Sequence, residues 1–421
     1  KSMTVPTVTR LDNAALIYPP CLSRRYASLF RMSVTLKDNI DESVLALALK
    51  RIIPRFPSFA YKLDKGFFWW YLRKLENDPQ IGRPAPLRPF SFKENGGYMF
   101  RVSCSVNTID LDVFHAVTDG TGAMTFLLSL TAEYLRLSRG VQIEYGGYVL
   151  DPEDEPVEEE FNDAFRSFSG AKGSLDKDSR AYHIKGSVEP YDVLHNVKLN
   201  ISTADLSDKA RDLGCTVTEL LTSLMLKSLQ RVHSEDASPF KKKYIRIEVP
   251  VNLRKMFGAG TLRNFSSYVY LGLDLHNGAY GLEQIVKEVS LQKRLYTLPG
   301  RITTRVAANV ALEDNPAIAA IPRVIKKPVM NLINHLKGDS YCSHTLSNMG
   351  AVELPEAMKD YVCGIEFMLG RTREKSGSCA CVSYDGTTTM NFTRRIREND
   401  FEMYFAEELD ACGIGYDMYL F

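Results

Sequence analysis

His115 and Asp119 stand four residues apart in His115-Ala116-Val117-Thr118-Asp119-Gly120, and their types and spacing could do chemistry. A neutral imidazole can accept a proton near neutral pH. An imidazole and a carboxylate at this spacing could also ligate a metal ion. A histidine can equally be a hydrogen-bonded member of a core. The elements around the pair say where it sits. Tyr98, Phe100, Val102, Cys104 and Val106 alternate with Met99, Arg101, Ser103, Ser105 and Asn107, the period of a strand with one buried face. After a turn at Asn107-Thr108, Ile109, Leu111 and Val113 repeat that period, and His115 continues their phase. Its ring is therefore expected to point inward. Asp119-Gly120-Thr121-Gly122 breaks the strand, and Ala123, Leu127, Leu130, Tyr134 and Leu137 form the apolar stripe of a helix. An inward histidine where a strand gives way to a loop is well placed for reaction. Asp119 is positioned to cap the helix. Gly120 and Gly122 are expected to supply backbone angles that other residues resist. Spacing offers no third metal ligand, so no metal site is expected.

The bulk properties exclude several classes. At 421 residues the chain exceeds one comfortable core, and two lobes are expected. A formal net charge of +1 gives no global attraction to nucleic acid or anionic membrane. No apolar run is long enough for a membrane-spanning helix. No basic start followed by an apolar stretch marks a secretory signal. Cysteines 21, 104, 215, 342, 363, 379, 381 and 412 fit neither a disulfide framework nor zinc knuckles. Several lie in strand phase as small hydrophobes. A reduced, cytoplasmic setting is the expectation.

Two lobes and a polar middle can be read along the chain: residues 1–150, 151–185 and 186–421. The first lobe holds a helix near Glu42–Phe56 and the hairpin and helix around His115. Residues 151–160, DPEDEPVEEE, carry seven acidic side chains and read as the start of a solvated surface connection. In the second lobe, Thr216 and Glu219 have the spacing of a capping box. Strands are expected near 192–201, 245–249, 269–275, 341–347, 362–369, 378–384 and 388–393, with a hairpin turn at Asp385-Gly386. Helices are expected near 282–296, within 304–336 and at 400–410. Such a mixture predicts an α/β protein, in the α+β mixed sense, with mixed sheets and flanking helices rather than one doubly wound sheet. No Gly-x-Ser-x-Gly elbow, Walker motif or dinucleotide glycine motif is present.

Several segments taken in order resemble the CoA-dependent acyltransferase superfamily, which includes chloramphenicol acetyltransferase, carnitine acyltransferases, plant BAHD enzymes and condensation domains. They are Arg10-Leu11-Asp12-Asn13-Ala14-Ala15 with Tyr18-Pro19, Arg51–Phe59, His115–Gly122, Pro250–Arg254 with Arg263-Asn264-Phe265, and Leu346–Gly350. The likeness is greatest to the alcohol acetyltransferase branch and spans most of the chain. Many relatives carry two adjacent histidines, where this chain has Phe114 and then His115.

The resemblance implies two chloramphenicol-acetyltransferase-like lobes with a tunnel between them, and acyl transfer from acyl-CoA to an alcohol or amine with His115 as general base. It makes Asp119 structural, paired with an arginine of the other lobe, for which Arg254 is the candidate. It makes Ser347 a candidate oxyanion donor, with Asn348 sharing that task or orienting the loop. Acyl-CoA would be a co-substrate, with no tightly bound cofactor. Arg323, Lys326 and Lys327, or Lys241 to Lys243, could meet its phosphates or could simply be solvated surface. Two alternatives share the fold: a condensation-type transferase taking its donor from an acyl carrier protein, and a non-catalytic binding relative marked by Phe114.

Overall fold

The computed structural model describes residues 5–174, 179–333 and 339–421. A five-stranded sheet runs in the order Val362–Leu369, Leu29–Leu36, Thr108–Phe114, Phe100–Cys104, Ile81–Gly82. A seven-stranded mixed sheet runs Ser266–Asp274, Tyr244–Asn252, His344–Ala351, Gly377–Tyr384, Thr387–Arg394, His195–Ser202, Tyr416–Leu420. Val8–Thr9, Trp70–Lys74 and Tyr61–Lys65 form a third, small antiparallel sheet. The mixed α/β class expected from the sequence is what the chain adopts. No helix among the described residues is long and apolar enough to cross a membrane.

The hairpin before His115 forms as the alternation implied, with Phe100 opposite Val113 and Cys104 opposite Ile109. Its polar face is not solvated, however. Asp112 is fully buried between Arg31, at 2.6 Å, and Arg101, at 2.5 Å. Both sides of this strand are therefore covered, and the ion pairs satisfy the buried carboxylate. The helix after the loop runs Gly120–Arg139 and ends at Gly140 in the left-handed region. At the start of the helix Val217–Glu235 the Thr216–Glu219 box closes as expected: Glu219 N–H donates to Thr216 Oγ1, and Thr216 N–H to Glu219 Oε2 at 2.8 Å.

Tertiary pairing departs from the order of residues in the chain. Val362–Leu369 lies in the stretch assigned to the second lobe, yet it pairs antiparallel with Leu29–Leu36 at the edge of the first sheet. Gly377–Tyr384 then returns to the second sheet, buried on both sides. Ala380 and Val382 join the first core while Cys379 and Cys381 join the second. Burial pushes the thiols of both cysteines up, that of Cys381 to about 12.

The acidic stretch is exposed at Glu153, Asp154, Glu155, Glu158 and Glu159, as expected, but its end is tied down. Glu160 receives a two-pronged bond from the buried Arg55, at 2.5 and 2.8 Å. The Glu160 carbonyl accepts from Leu262 N–H and the Glu159 carboxylate from Gly260 N–H. Phe165 and Phe168 just beyond it pack with Leu253, Phe265 and Ile302 in a third core. Periodicity alone could not reveal these partners of Glu159 and Glu160.

Candidate active site

The strand Thr108–Phe114 delivers His115 to its end. His115 N–H still donates to Ser28 O at 2.9 Å, which extends the ladder by one residue, and Val117 N–H then turns back onto Phe114 O. The imidazole lies flat against Tyr18, with ring centroids 4.8 Å apart, and meets Phe30 edge-on at 5.1 Å. Phe114 points away into the first core, fully buried, and contacts Phe92 and Tyr18. The ring that replaces the resemblance's first histidine is thus part of the packing behind the loop.

His115 Nδ1 lies 3.1 Å from Asn264 Oδ1. The orientation of that amide follows from its other end. Asn264 Nδ2 donates to Asp12 Oδ2 at 3.2 Å. Asp12 is fully buried, accepts Ala15 N–H at 2.7 Å and lies 3.5 Å from Arg263 Nε. Burial pushes the Asp12 carboxyl up, while Arg263, Asn264 and the Ala15 N–H pull it down. The ionised form is the one that accepts from all three donors. With its NH2 committed to Asp12, Asn264 offers oxygen to the histidine, so Nδ1 carries the proton and Nε2 keeps its lone pair. Burial pushes the imidazole below its ordinary value of 6.5, against the opposing pull of Asp119 and Asn264. The resulting group is a neutral, oriented base.

Asp12, Tyr18, Arg263 and Asn264 all lie in segments that carry the resemblance, but no local pattern marks them for this role. Arg263 also donates to Arg10 O at 2.9 Å. Two motif segments some 250 residues apart thereby converge on one imidazole.

Asp119 does both of the jobs open to it. Its Oδ1 caps the helix, accepting from Thr121 and Gly122 N–H at 3.2 and 3.3 Å. Arg254 spans both carboxylate oxygens, at 2.8 and 3.0 Å, and Phe265 N–H adds a bond of 2.9 Å. Both side chains are nearly buried. The carboxylate is fully occupied, which leaves it no capacity to ligate a metal with His115. Arg254 also donates to the carbonyls of Thr261 and Arg263, and Asn252 Nδ2 reaches Thr121 Oγ1 at 3.0 Å. The residue 252–265 segment is therefore stitched along the histidine loop.

The glycines of this loop serve a different purpose from the one expected. Neither Gly120 nor Gly122 adopts a positive φ. A Cβ at Gly122 would instead overlap the Thr118 hydroxyl and the Leu262 carbonyl, which bond each other at 2.6 Å, and one at Gly120 would press on Met349 Sδ. Gly122→Ala is expected to destabilise the protein by about 1–3 kcal/mol through overpacking, read as a lower denaturation midpoint with an unchanged slope. Unaltered stability would show that the loop and residue 262 can part freely.

The remaining candidates are placed less centrally. Ser347 lies on His344–Ala351, on the opposite side of that strand from Leu346 of the second core. Its hydroxyl has no hydrogen-bond partner among the described residues, and no bond joins it to His115. Asn348 is spent locally, donating to Thr218 Oγ1 at 3.0 Å and accepting Gly350 N–H at 2.8 Å. Lys326 is not solvated surface: it is buried, its ammonium donates to Ala319 O and Phe68 O, and it sits 3.7 Å above the Trp69 ring. Arg323 donates to Gly66 O at 2.9 Å, while Lys327 is exposed. Lys241 likewise bonds the His233 and Asp236 carbonyls.

No protein-family model matches the sequence, and neither does any curated protein. Solved structures do match along nearly the whole chain. TRI101 of F. graminearum, crystallised with coenzyme A and T-2 mycotoxin, is 12% identical with a TM-score of 0.64, over 98% of this chain and 100% of that one. TRI3 trichothecene 15-O-acetyltransferase from Fusarium sporotrichioides is 11% identical with a TM-score of 0.61, over 98% and 96%. The first condensation domain of the calcium-dependent antibiotic synthetase is 13% identical with a TM-score of 0.59, over 99% and 100%. Identity this low speaks to architecture alone, and on that level the chain has the two-lobed fold shared by CoA-dependent acyltransferases and condensation domains.

Proposed function

We propose that this protein transfers an acyl group from acyl-CoA to the hydroxyl or amine of a small acceptor, with His115 as general base. The observation that carries the reading is the fixed tautomer: Asn264 occupies Nδ1, so Nε2 is the basic nitrogen. In this mechanism Nε2 removes the acceptor's proton as its oxygen or nitrogen attacks the thioester carbonyl. The tetrahedral oxyanion collapses, the C–S bond breaks, and the imidazolium returns its proton to the leaving CoA sulfur. A hydroxyl donor at the oxyanion stabilises the intermediate, and Ser347, with an uncommitted hydroxyl on the face away from the second core, takes that role. Asp119, Gly120 and Arg254 hold the loop, and Asn348 fixes the bulge beside Ser347. Residues 1–150 and 186–421, joined through 151–185, supply the two lobes, with Val362–Leu369 lent to the first. The coenzyme A bound to TRI101 supports a CoA-linked donor.

Calorimetric titration with CoA and acetyl-CoA tests this without knowledge of the acceptor. One-site, saturable binding of both is the expected result. Absence of binding to well-folded protein would sink the CoA reading. The likeness to a condensation domain favours a carrier-bound donor as the second reading, in which a loaded acyl carrier protein reacts where free acyl-CoA does not.

A further inference from the structure

The tip of the small sheet and the helix Arg323–Ile333 form one exposed apolar surface. The hairpin Tyr61–Lys65 to Trp70–Lys74 turns through Gly66-Phe67-Phe68-Trp69. Phe67 is 72% exposed and Phe68 is 46% exposed, their rings edge to face at 4.8 Å. The helix is bound to this tip through backbone: Arg323 N–H donates to Phe67 O at 2.9 Å, beside the Arg323 and Lys326 side-chain bonds already described. On its outer side the helix presents Val324, 73% exposed, with Ile325 and Val329 about half exposed. Isolated surface hydrophobes need no explanation, but a contiguous set of this size does.

Basic side chains predominate around the patch, and the hairpin's one carboxylate, Asp64, is paired with Arg73 at 2.6 Å. Residues 65–75 and 315–333 contain no Asp or Glu, yet they contribute exposed Lys65 and Lys327 as well as Arg323. The form is a protruding aromatic turn beside an amphipathic helix, not a groove. Aromatic and aliphatic side chains ringed by lysine and arginine suit the boundary between acyl chains and anionic headgroups. The same helix packs against the short Tyr18–Cys21 turn, whose Tyr18 ring lies on His115. A surface docked here would lie against a wall of the candidate site.

We propose that this face docks the protein on an anionic lipid bilayer. The inference stands apart from the acyl-transfer reading, because its readout is vesicle binding.

The test is flotation of the full chain with vesicles of phosphatidylcholine alone and of phosphatidylcholine with phosphatidylserine. Its companion is the double variant Phe67→Ser, Val324→Ser, whose sites are exposed enough to spare the fold, as equal denaturation midpoints would confirm. The expected result is binding to the anionic vesicles that weakens with added salt and falls at least about tenfold in the double variant. Four results would each overturn the proposal. The first three are no flotation with anionic vesicles, equal flotation of the double variant, and equal binding to both vesicle types. The fourth is a concentration-dependent dimer that the double variant abolishes, which would assign the face to a second copy of this chain.

Discussion

His115→Ala is expected to lower kcat/KM about 10²–10⁴-fold, the range of a lost general base, while the protein keeps its fold. The variant removes a ring that bonds Asn264 and packs on Tyr18 and Phe30, so circular dichroism and the denaturation midpoint separate lost chemistry from lost structure. Full activity in the folded variant would end the general-base assignment. On that assignment the neutral imidazole of the unsubstituted protein is the active form, so the rate is expected to fall as acid protonates it. Burial lowers the imidazole's pKa from 6.5, and the acid limb of the pH–rate profile is therefore expected below that value. Asn264→Leu should reduce kcat, because the tautomer is no longer fixed and Nδ1 loses its buried acceptor. It should also move the acid limb to still lower pH, since the Asn264 bond favours the charged ring. A purely structural role for Asn264 would change stability without that displacement.

The second large effect is expected at the pair Asp119–Arg254. Removing one member of a buried ion pair typically costs about 3–5 kcal/mol, a large fraction of the 5–15 kcal/mol by which a domain is stable. Asp119→Ala should be the more damaging of the two substitutions. It leaves the buried guanidinium without its carboxylate and strips the acceptor from Thr121, Gly122 and Phe265 N–H together. Arg254→Ala leaves Asp119 with those three backbone donors. Arg254→Lys should recover only part of the loss, because an ammonium cannot span both oxygens as the guanidinium does. Denaturant unfolding of the two single variants and the double variant gives the coupling between the residues. A loss below about 1 kcal/mol in both single variants would show that the pair behaves as a solvated one.

The sequence by itself determined what is written in short-range patterns. Alternation in 98–113 gave the hairpin, because side chains two apart share a face. The phase of that alternation carried His115 to the strand end. Asp119 was legible as a cap and Thr216 with Glu219 as a capping box, because both arrangements close within three residues. The mixed α/β class followed from the mixture of such elements.

Tertiary structure alone decided the rest. Leu29–Leu36 carries a strand's alternation, Phe30, Met32, Val34 and Leu36 against Arg31, Ser33 and Thr35, but nothing within it says that it lies beside the His115 strand. Val362–Leu369 was read as a strand, but its place in the first sheet depends on partners more than 300 residues away. Glu160 and Lys326 carried charges that suggested solvent, and Arg55 and backbone carbonyls took them up instead. The sequence nominated His115, but it could not supply the Asp12–Asn264 chain that selects its basic nitrogen. A tautomer is chosen by one hydrogen bond at Nδ1, and here the amide that makes it comes from 149 residues along the chain and is itself oriented by a carboxylate 252 residues before that amide.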